Sequence, residues 1–526
     1  MVATHSVTLD GLSGRAIEIE VDIANGLPTT IIVGLADTTI NEARNRVRSA
    51  VVNSGMNWPD QRVTINLAPS TLPKSGSHYD LAIAVAMMAS KGKVPSADFG
   101  RMIFLGELAL DGRLRAVRGV LPATLAAVEA GYDTIFVPEI NAAEAQIVNG
   151  VDVIGVRSLR HVIAYLRGDE PPEDPPVAPL THAAIDDWAS SGRVDHLDLA
   201  DVSGQTDAVL ATVVAAAGGH HMMMVGPPGI GKTMLAQRLP GLIPDLDMDA
   251  SIEASAIHSV AGVLPADAPL RTPPPFLDPH HSASAVSIVG GGTRSIRPGA
   301  LALAHHGVLF LDEAPEFASN VLEALRQPLE SGRVLISRAS ASASFPARFQ
   351  LVLAANPCPC GHGGSRGSLC ECTPLMSRRY ADRISGPIRD RIDIQRTLVA
   401  PSRPGLESSA FERVTTVDAR ARVVAARERQ RHRWAQTPWA LNAEVPGAVL
   451  RKEWPAAIEG RRLVDRQMVS GALSPRSADR VLRLAWTLAD LCEHDQPTEG
   501  DVVDALSLRR GSALAGEIRN LSRVAA

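Results

Sequence analysis

Gly226-Pro227-Pro228-Gly229-Ile230-Gly231-Lys232-Thr233 is the stretch on which the reading of this chain turns. It has the form G-x-x-x-x-G-K-[ST], the Walker A pattern. The apolar run Met222-Met223-Met224-Val225 leads into it and reads as a buried strand. Met234-Leu235-Ala236-Gln237-Arg238-Leu239 follows with a helical pattern. Strand, loop and helix in that order are the context such a motif needs. The glycines let backbone N–H groups turn inward onto phosphate oxygens. The helix N-terminus adds its partial positive charge. Lys232 is expected on the β- and γ-phosphates and the Thr233 hydroxyl on Mg²⁺.

Two later strands carry polar groups that suit the same chemistry. Val308-Leu309-Phe310-Leu311 ends in Asp312-Glu313. In phosphoryl transfer Asp312 holds Mg²⁺ through water, while Glu313 orients and polarises the attacking water. Leu351-Val352-Leu353-Ala354-Ala355 ends in Asn356, a polar group placed beside the γ-phosphate. The fold class is therefore α/β, with a P-loop ATPase core using ATP and Mg²⁺.

At 526 residues the chain is long enough for two to four domains. It is 45% hydrophobic and 21% charged, as an ordinary globular protein is. A net charge of −5 advertises no nucleic acid, so any such contact must come from locally concentrated Lys and Arg. Aromatics, at 4%, are too scarce for a large base-stacking platform. No Arg/Lys-led apolar segment opens the chain, and the apolar run Leu81 to Ala89 is too short to span a bilayer. A cytoplasmic protein without a membrane partner is the expectation.

Residues 1–167 read as a mixed α/β region. Ala16 to Ile23 alternates at period two, and Thr30 to Val33 and Val63 to Leu67 read as further strands. Asn41 to Asn53 and the apolar Asp80 to Ser90 read as helices. Residues 168–194 begin with five prolines and four acids in twelve residues, an extended linker. Residues 195–400 hold the ATPase core and 401–526 a helical lid. Ser287 to Gly292 reads as a mobile insertion, and Ser319 to Glu330 as one helix. Gly332 to Ala339 and Ala341 to Ala347 read as a hairpin, whose Arg333 and Arg338 could touch the phosphates of a threaded strand. Arg420, Arg422, Arg427, Arg429, Arg431 and Arg433 make a basic run, most simply a solvated face and otherwise a DNA contact. Ser474-Pro475 looks like a helix start, which puts Arg476 in the first turn. Thr498 to Asp501 opens a last helix with a capping-box pattern.

Cys358, Cys360, Cys370 and Cys372 are four of the five cysteines, and they fall within 15 residues. A C-x-C…C-x-C set gathered by a Gly-rich loop suits a structural Zn²⁺; free thiols in a loop are the alternative. In Ile384 to Asp393 a cation near a subunit edge can complete a neighbour's γ-phosphate site. Arg391 is the choice, ahead of Arg389 and Arg383.

Two resemblances carry further expectations. Pro73-Lys74-Ser75-Gly76-Ser77-His78-Tyr79-Asp80 and Gly106-Glu107-Leu108-Ala109-Leu110-Asp111-Gly112-Arg113 resemble the two signatures of the Lon protease C-terminal domain. The family's serine and lysine positions fall on His78 and Leu121. A Lon-like fold without peptidase activity is the reading, and scaffold, DNA contact and partner contact all stay open. Over nearly its whole length the chain resembles the ComM/YifB family of magnesium-chelatase-like AAA+ proteins. That likeness rests on Gly226 to Thr233, on Pro298-Gly299-Ala300-Leu301 leading into Leu311-Asp312-Glu313, on Asn356 to Gly361, and on Ser385-Gly386-Pro387 with Asp390 to Asp393. It implies a homohexameric ring and a DNA helicase promoting branch migration on branched or single-stranded DNA. It also implies a DNA-contacting role for Arg338, a finger role for Arg391, and a γ-phosphate-reading role for Arg476 in the lid. Arg389 departs from the family, where an apolar residue is usual. The alternatives are a motor for metal insertion into a tetrapyrrole, a nucleotide-gated scaffold, and an ATP-dependent protease.

Overall fold

The computed structural model describes residues 2–34, 38–72, 74, 76–180, 194, 196–292, 296–337, 342–363, 370–399, 414–514 and 516–522. Ser75 and Arg338 lie outside these.

The N-terminal part is built on a seven-stranded sheet. β1 (Val2–Asp10), β2 (Ser13–Ala24), β3 (Thr29–Val33), β4 (Arg62–Ala68), β5 (Met102–Phe104), β8 (Thr134–Pro138) and β9 (Asp152–Val156) run in the order β3-β4-β2-β1-β5-β8-β9. A small hairpin, β6 (Glu107–Leu108) with β7 (Leu114–Arg115), lies beside it. β2 owes its place to its alternation: Ile17, Ile19 and Val21 are buried, while Glu18 and Asp22 face away. β2 pairs antiparallel with β1 (Val2↔Val21 to Asp10↔Ser13) and with β4 (Glu18↔Ala68 to Ala24↔Arg62). The helix Asp80–Ser90 is buried from Asp80 to Ala89 and fills the core of this part. Asp80 is tolerated inside because Arg46 grips both its oxygens, at 2.9 and 3.1 Å.

The second sheet is parallel throughout. β10 (Met222–Val225), β11 (Phe276–Leu277), β14 (Val308–Leu311), β17 (Gln350–Ala355) and β18 (Ile394–Thr397) take the order β11-β14-β17-β10-β18. Every residue of β14 and β17 is buried, as strands covered on both faces must be. Their carboxyl ends come together, so Gly226, Asp312 and Asn356, which follow β10, β14 and β17, are brought to one edge. A two-stranded ribbon, β12 (Gly290–Gly291) with β13 (Arg297–Pro298), and a hairpin, β15 (Arg333–Ser337) with β16 (Ser342–Pro346), are appended.

The lid holds helices Thr416–Arg433, Gly447–Lys452, Ile458–Val469, Pro475–Cys492 and Glu499–Arg510. The Ser474 hydroxyl caps the fourth by accepting from Ser477 N, and Thr498 with Asp501 forms the capping box of the fifth. Among the described residues no helix is long and apolar enough to cross a membrane.

Four expectations change. The stretch 319–330 is two short helices, Ser319–Ala324 and Arg326–Ser331, rather than one. Pro328 lies in the second, where its missing N–H and bulky ring disfavour one unbroken helix. Ser287 to Gly292 is no loose insertion. Ile288 is fully buried, and a Cβ on Gly290 would come within 2.6 Å of Arg297 O, so glycine there permits close ribbon packing. The proline-rich stretch after Arg167 has no helix or strand through residue 180, yet it is strapped down. Asp174 accepts from Ser158 Oγ at 2.5 Å and from Arg160 at 2.7 Å, and Val177 joins the N-terminal core. The basic run is not simply a solvated face. Arg427 donates to Ala216 O at 3.0 and 2.7 Å, Arg433 grips the buried Asp490, and Arg420 pairs with Asp245 at 2.8 Å. Burial pulls the Arg427 guanidinium down to about 10. Arg420, Arg427 and Arg433 tie the first lid helix to its neighbours.

The N-terminal part docks on the helix Met248–Ala261 of the ATPase core. Leu121 and Val148 pack with Ala256, and Gly119 N donates to Ser259 O at 3.1 Å. The turn between β1 and β2 reaches further: Leu12 packs against the core that includes β15 and β16.

Candidate functional site: a nucleotide pocket

Gly226 leaves β10 pressed against the backbone just after β18. A Cβ there would lie 2.9 Å from Leu398 O. Gly229 and Gly231 have φ of +74° and +99°, which turns the loop back to start the helix Lys232–Leu242. Lys232 is buried, and its ammonium donates to Gly226 O at 2.5 Å, Pro227 O at 3.0 Å and Asn356 Oδ1 at 2.9 Å. Two of its three donors are thus held by backbone carbonyls that phosphate oxygens would replace, while Asn356 orients the ammonium. Burial lowers its pKa, against the opposing pull of Asp312 and Glu313.

Thr233 Oγ1 donates to Asp312 Oδ2 at 2.6 Å. A hydroxyl and a carboxylate oxygen side by side are hard donors that fit Mg²⁺. Asp312 Oδ1 accepts from Glu313 N at 2.9 Å, which fixes the carboxylate. Glu313 adopts φ +51°, an unusual conformation for a residue with a side chain, and one that re-aims its carboxylate. His281 meets it there, Nδ1 to Oε2 at 3.2 Å. Lys232, Thr233, Asp312, Glu313 and Asn356, expected from their strand ends, thus form one connected set. His281 was not expected. Its only signal was a His-His pair in a proline-rich stretch, and its partner lies far along the chain.

Arg391 and Arg476 lie in each other's electrostatic field, but no hydrogen bond or ion pair joins either to Lys232, Thr233 or Asp312 among the described residues. Arg391 donates to Pro387 O at 2.6 Å and pairs with Glu330. Burial lowers its pKa, and the nearby Arg326, Arg476 and Arg480 lower it further. Arg476 is exposed in the first turn of its helix. On the hairpin Arg333 is exposed and held to Ser344 Oγ at 3.0 Å, beside an exposed Leu335.

The thiols of Cys358, Cys360, Cys370 and Cys372 gather within 4.8 Å of one another. The backbone N–H of His362 and the neighbouring thiols lower Cys360 to about 6. A second set, Glu253 with His305 and His306, also gathers within 4.8 Å. There His305 Nδ1 accepts the Arg348 N–H at 3.0 Å, so in the neutral ring the proton sits on Nε2 facing Glu253. That is a hydrogen-bonded arrangement rather than a metal-ready one.

At the positions aligned with the Lon serine and lysine, His78 is held to Val7 O at 3.0 Å and burial lowers it to about 4. Leu121 is fully buried in the docking contact. Ser77 donates to Glu107 instead.

Comparison with known proteins places the chain in a family. The family described as "Magnesium chelatase, subunit ChlI" matches residues 198–404. "Subunit ChlI of Mg-chelatase" matches 19–141, and "Magnesium chelatase, subunit ChlI C-terminal" matches 413–509. An uncharacterised protein of Mycobacterium tuberculosis is 47% identical over 512 residues, 97% of this chain and 98% of its own. The uncharacterised protein YifB of Escherichia coli is 39% identical over 505 residues, 96% of each chain. The competence protein ComM of Haemophilus influenzae is 37% identical over 514 residues, 97% of this chain and 98% of its own. A Lon protease of Rhizobium meliloti is 28% identical over 165 residues, 29% of this chain and 20% of its own. The chain belongs to the ComM/YifB family of magnesium-chelatase-like AAA+ proteins.

Proposed function

We propose that the protein is an ATP-hydrolysing, DNA-translocating motor that acts in the cytoplasm as a homohexameric ring and promotes branch migration on branched or single-stranded DNA. Lys232 binds the β- and γ-phosphates, Thr233 and Asp312 hold Mg²⁺, Glu313 polarises the attacking water, and Asn356 positions the γ-phosphate. Arg391 completes the nucleotide site of a neighbouring copy, and Arg476 reads the γ-phosphate from the lid. One observation supports the shared site: Arg391 is held by Pro387 O and Glu330, away from its own P-loop. The exposed Arg333 and Leu335 on the hairpin, with Arg338 beyond the described residues, support a nucleic-acid contact. The four clustered thiols take a structural Zn²⁺ in the same reading.

A fluorescent Holliday-junction assay tests this function. Wild type is expected to migrate the junction with ATP, and Lys232→Ala and Glu313→Gln to fail. Absence of both migration and DNA binding at low salt sinks the proposal. The family descriptions favour one other reading, a motor for Mg²⁺ insertion into a tetrapyrrole. That would show as tetrapyrrole metallation with added partner subunits and no response to DNA.

A further inference from the structure

The four thiols have the spacing of a metal site. Cys358 Sγ is 3.3 Å from Cys360 Sγ and 3.7 Å from Cys370 Sγ, and Cys360 lies 3.6 Å from Cys370. Cys372 completes a set whose members all lie within 4.8 Å. Thiolates about 2.3 Å from a tetrahedral Zn²⁺ stand about 3.8 Å apart. A disulfide would need about 2.05 Å. Gly363 N donates to Cys358 Sγ at 3.2 Å, the kind of outer hydrogen bond that orients a metal ligand.

The place of this cluster matters more than its existence. Cys358 is fully buried, one proline away from Asn356, which holds the Lys232 ammonium at 2.9 Å. Gly361 sits inside the ligand loop with φ +81°, its N–H donating to Cys358 O at 3.0 Å. A Cβ on Gly361 would lie 2.8 Å from Pro228 Cγ and 2.9 Å from Cδ. The cysteine loop therefore rests on the Walker A loop itself, and its first ligand is joined to the residue that grips the Walker A lysine. A metal that merely stapled a surface loop would need neither contact.

We propose that Cys358, Cys360, Cys370 and Cys372 bind one Zn²⁺ whose presence sets the shape of the nucleotide pocket. Bound metal holds Gly361 against Pro228 and Asn356 against Lys232, so nucleotide affinity is coupled to metal occupancy. The inference rests on the nucleotide-binding part of the proposed function and is independent of DNA.

The experiment uses the full chain. Zinc content is measured on the purified protein, and Co²⁺ is substituted to read a tetrahedral thiolate absorption spectrum. Binding of a fluorescent ADP with Mg²⁺ is then titrated before zinc removal by a zinc-selective chelator with reductant, after it, and after Zn²⁺ is restored. Circular dichroism checks that the stripped protein stays folded. Gly361→Ala retains all four thiols while it crowds Pro228 and strains the positive-φ turn that carries the contact, so it keeps the test open if stripped protein or Cys370→Ser fails to fold. The expected result is one zinc per chain and an affinity that falls about tenfold on stripping, a usual size for coupling between sites. Affinity returns with Zn²⁺, and Gly361→Ala keeps its metal while binding nucleotide more weakly. A folded chain that carries no zinc and gives no thiolate spectrum overturns the site. Equal affinities with and without metal, or in Gly361→Ala, overturn the coupling. Nucleotide binding absent in every state with the cobalt spectrum intact overturns the coupling together with the nucleotide reading, and leaves the metal site standing.

Discussion

Glu313 meets His281 through a single contact of 3.2 Å, with its backbone in a left-handed conformation. A carboxylate that must aim at water benefits from such a partner, because a misaligned base loses rate without losing substrate. His281→Ala is therefore expected to lower the ATPase kcat by about tenfold to a hundredfold with little change in KM. Lys232→Ala should abolish nucleotide binding instead, since the ammonium supplies the charge; equilibrium titration separates the two. The meeting of the P-loop, Asp312, Glu313 and Asn356 at one edge of the sheet could be read from the sequence because each follows an apolar strand immediately. His281 and the Pro228–Gly361 contact could not, because they join residues distant in sequence that only the folded chain brings together. Arg391 was singled out by motif, and the groups that hold it, Pro387 O and Glu330, emerge only in three dimensions.

At the scale of elements, two helices show how charge is handled away from the pocket. Arg433, on the first lid helix, grips the fully buried Asp490, which also accepts from Asn442 Nδ2 at 2.8 Å, and it lies 4.1 Å over the Trp486 ring. Removing it leaves an underpaired buried carboxylate, so Arg433→Ala should destabilise the lid by about 3–5 kcal/mol, read by chemical denaturation. The basic run misleads at sequence level because a helix rich in arginine looks alike whether its partners are water, phosphate or buried carboxylates. Glu144 poses the opposite case at the docking contact. Burial raises its carboxyl to about 7, against weaker lowering by the Asn141 amide, which donates to its Oε1 at 2.7 Å. The folded form favours the proton, so the stability it contributes is fully present below the unfolded value of about 4.5 and is lost as pH rises through about 7. Wild type should lose melting temperature between about pH 4.5 and about pH 7 and level off above, and Glu144→Gln should flatten that part of the profile. Regular elements such as Asp80–Ser90 were legible from composition and period. The two-helix break near Pro328 and the pinned ribbon at Gly290 depend on close packing that a pattern does not encode.

At the scale of the whole molecule, one helix links the parts. Met248–Ala261 carries the docking contact at Ala256 and Ser259, and also carries Glu253, whose carboxylate takes His305 and His306 just before β14. These contacts form one continuous route from the N-terminal part to the strand that ends in Asp312 and Glu313. Leu121→Asp, which puts a charge into that docking contact, should uncouple DNA stimulation from basal hydrolysis, measured as ATPase rate with and without branched DNA. The central claim concerns two copies rather than one: nucleotide is cleaved where Lys232 of one protomer faces Arg391 of the next. Mixing two inactive variants tests it most directly. Lys232→Ala and Arg391→Ala, each without turnover alone, should regain ATPase activity when assembled together, because some interfaces then pair an intact lysine with an intact arginine. A mixture as inactive as its components, or an Arg391→Ala protein that hydrolyses ATP at the wild-type rate by itself, would contradict the account.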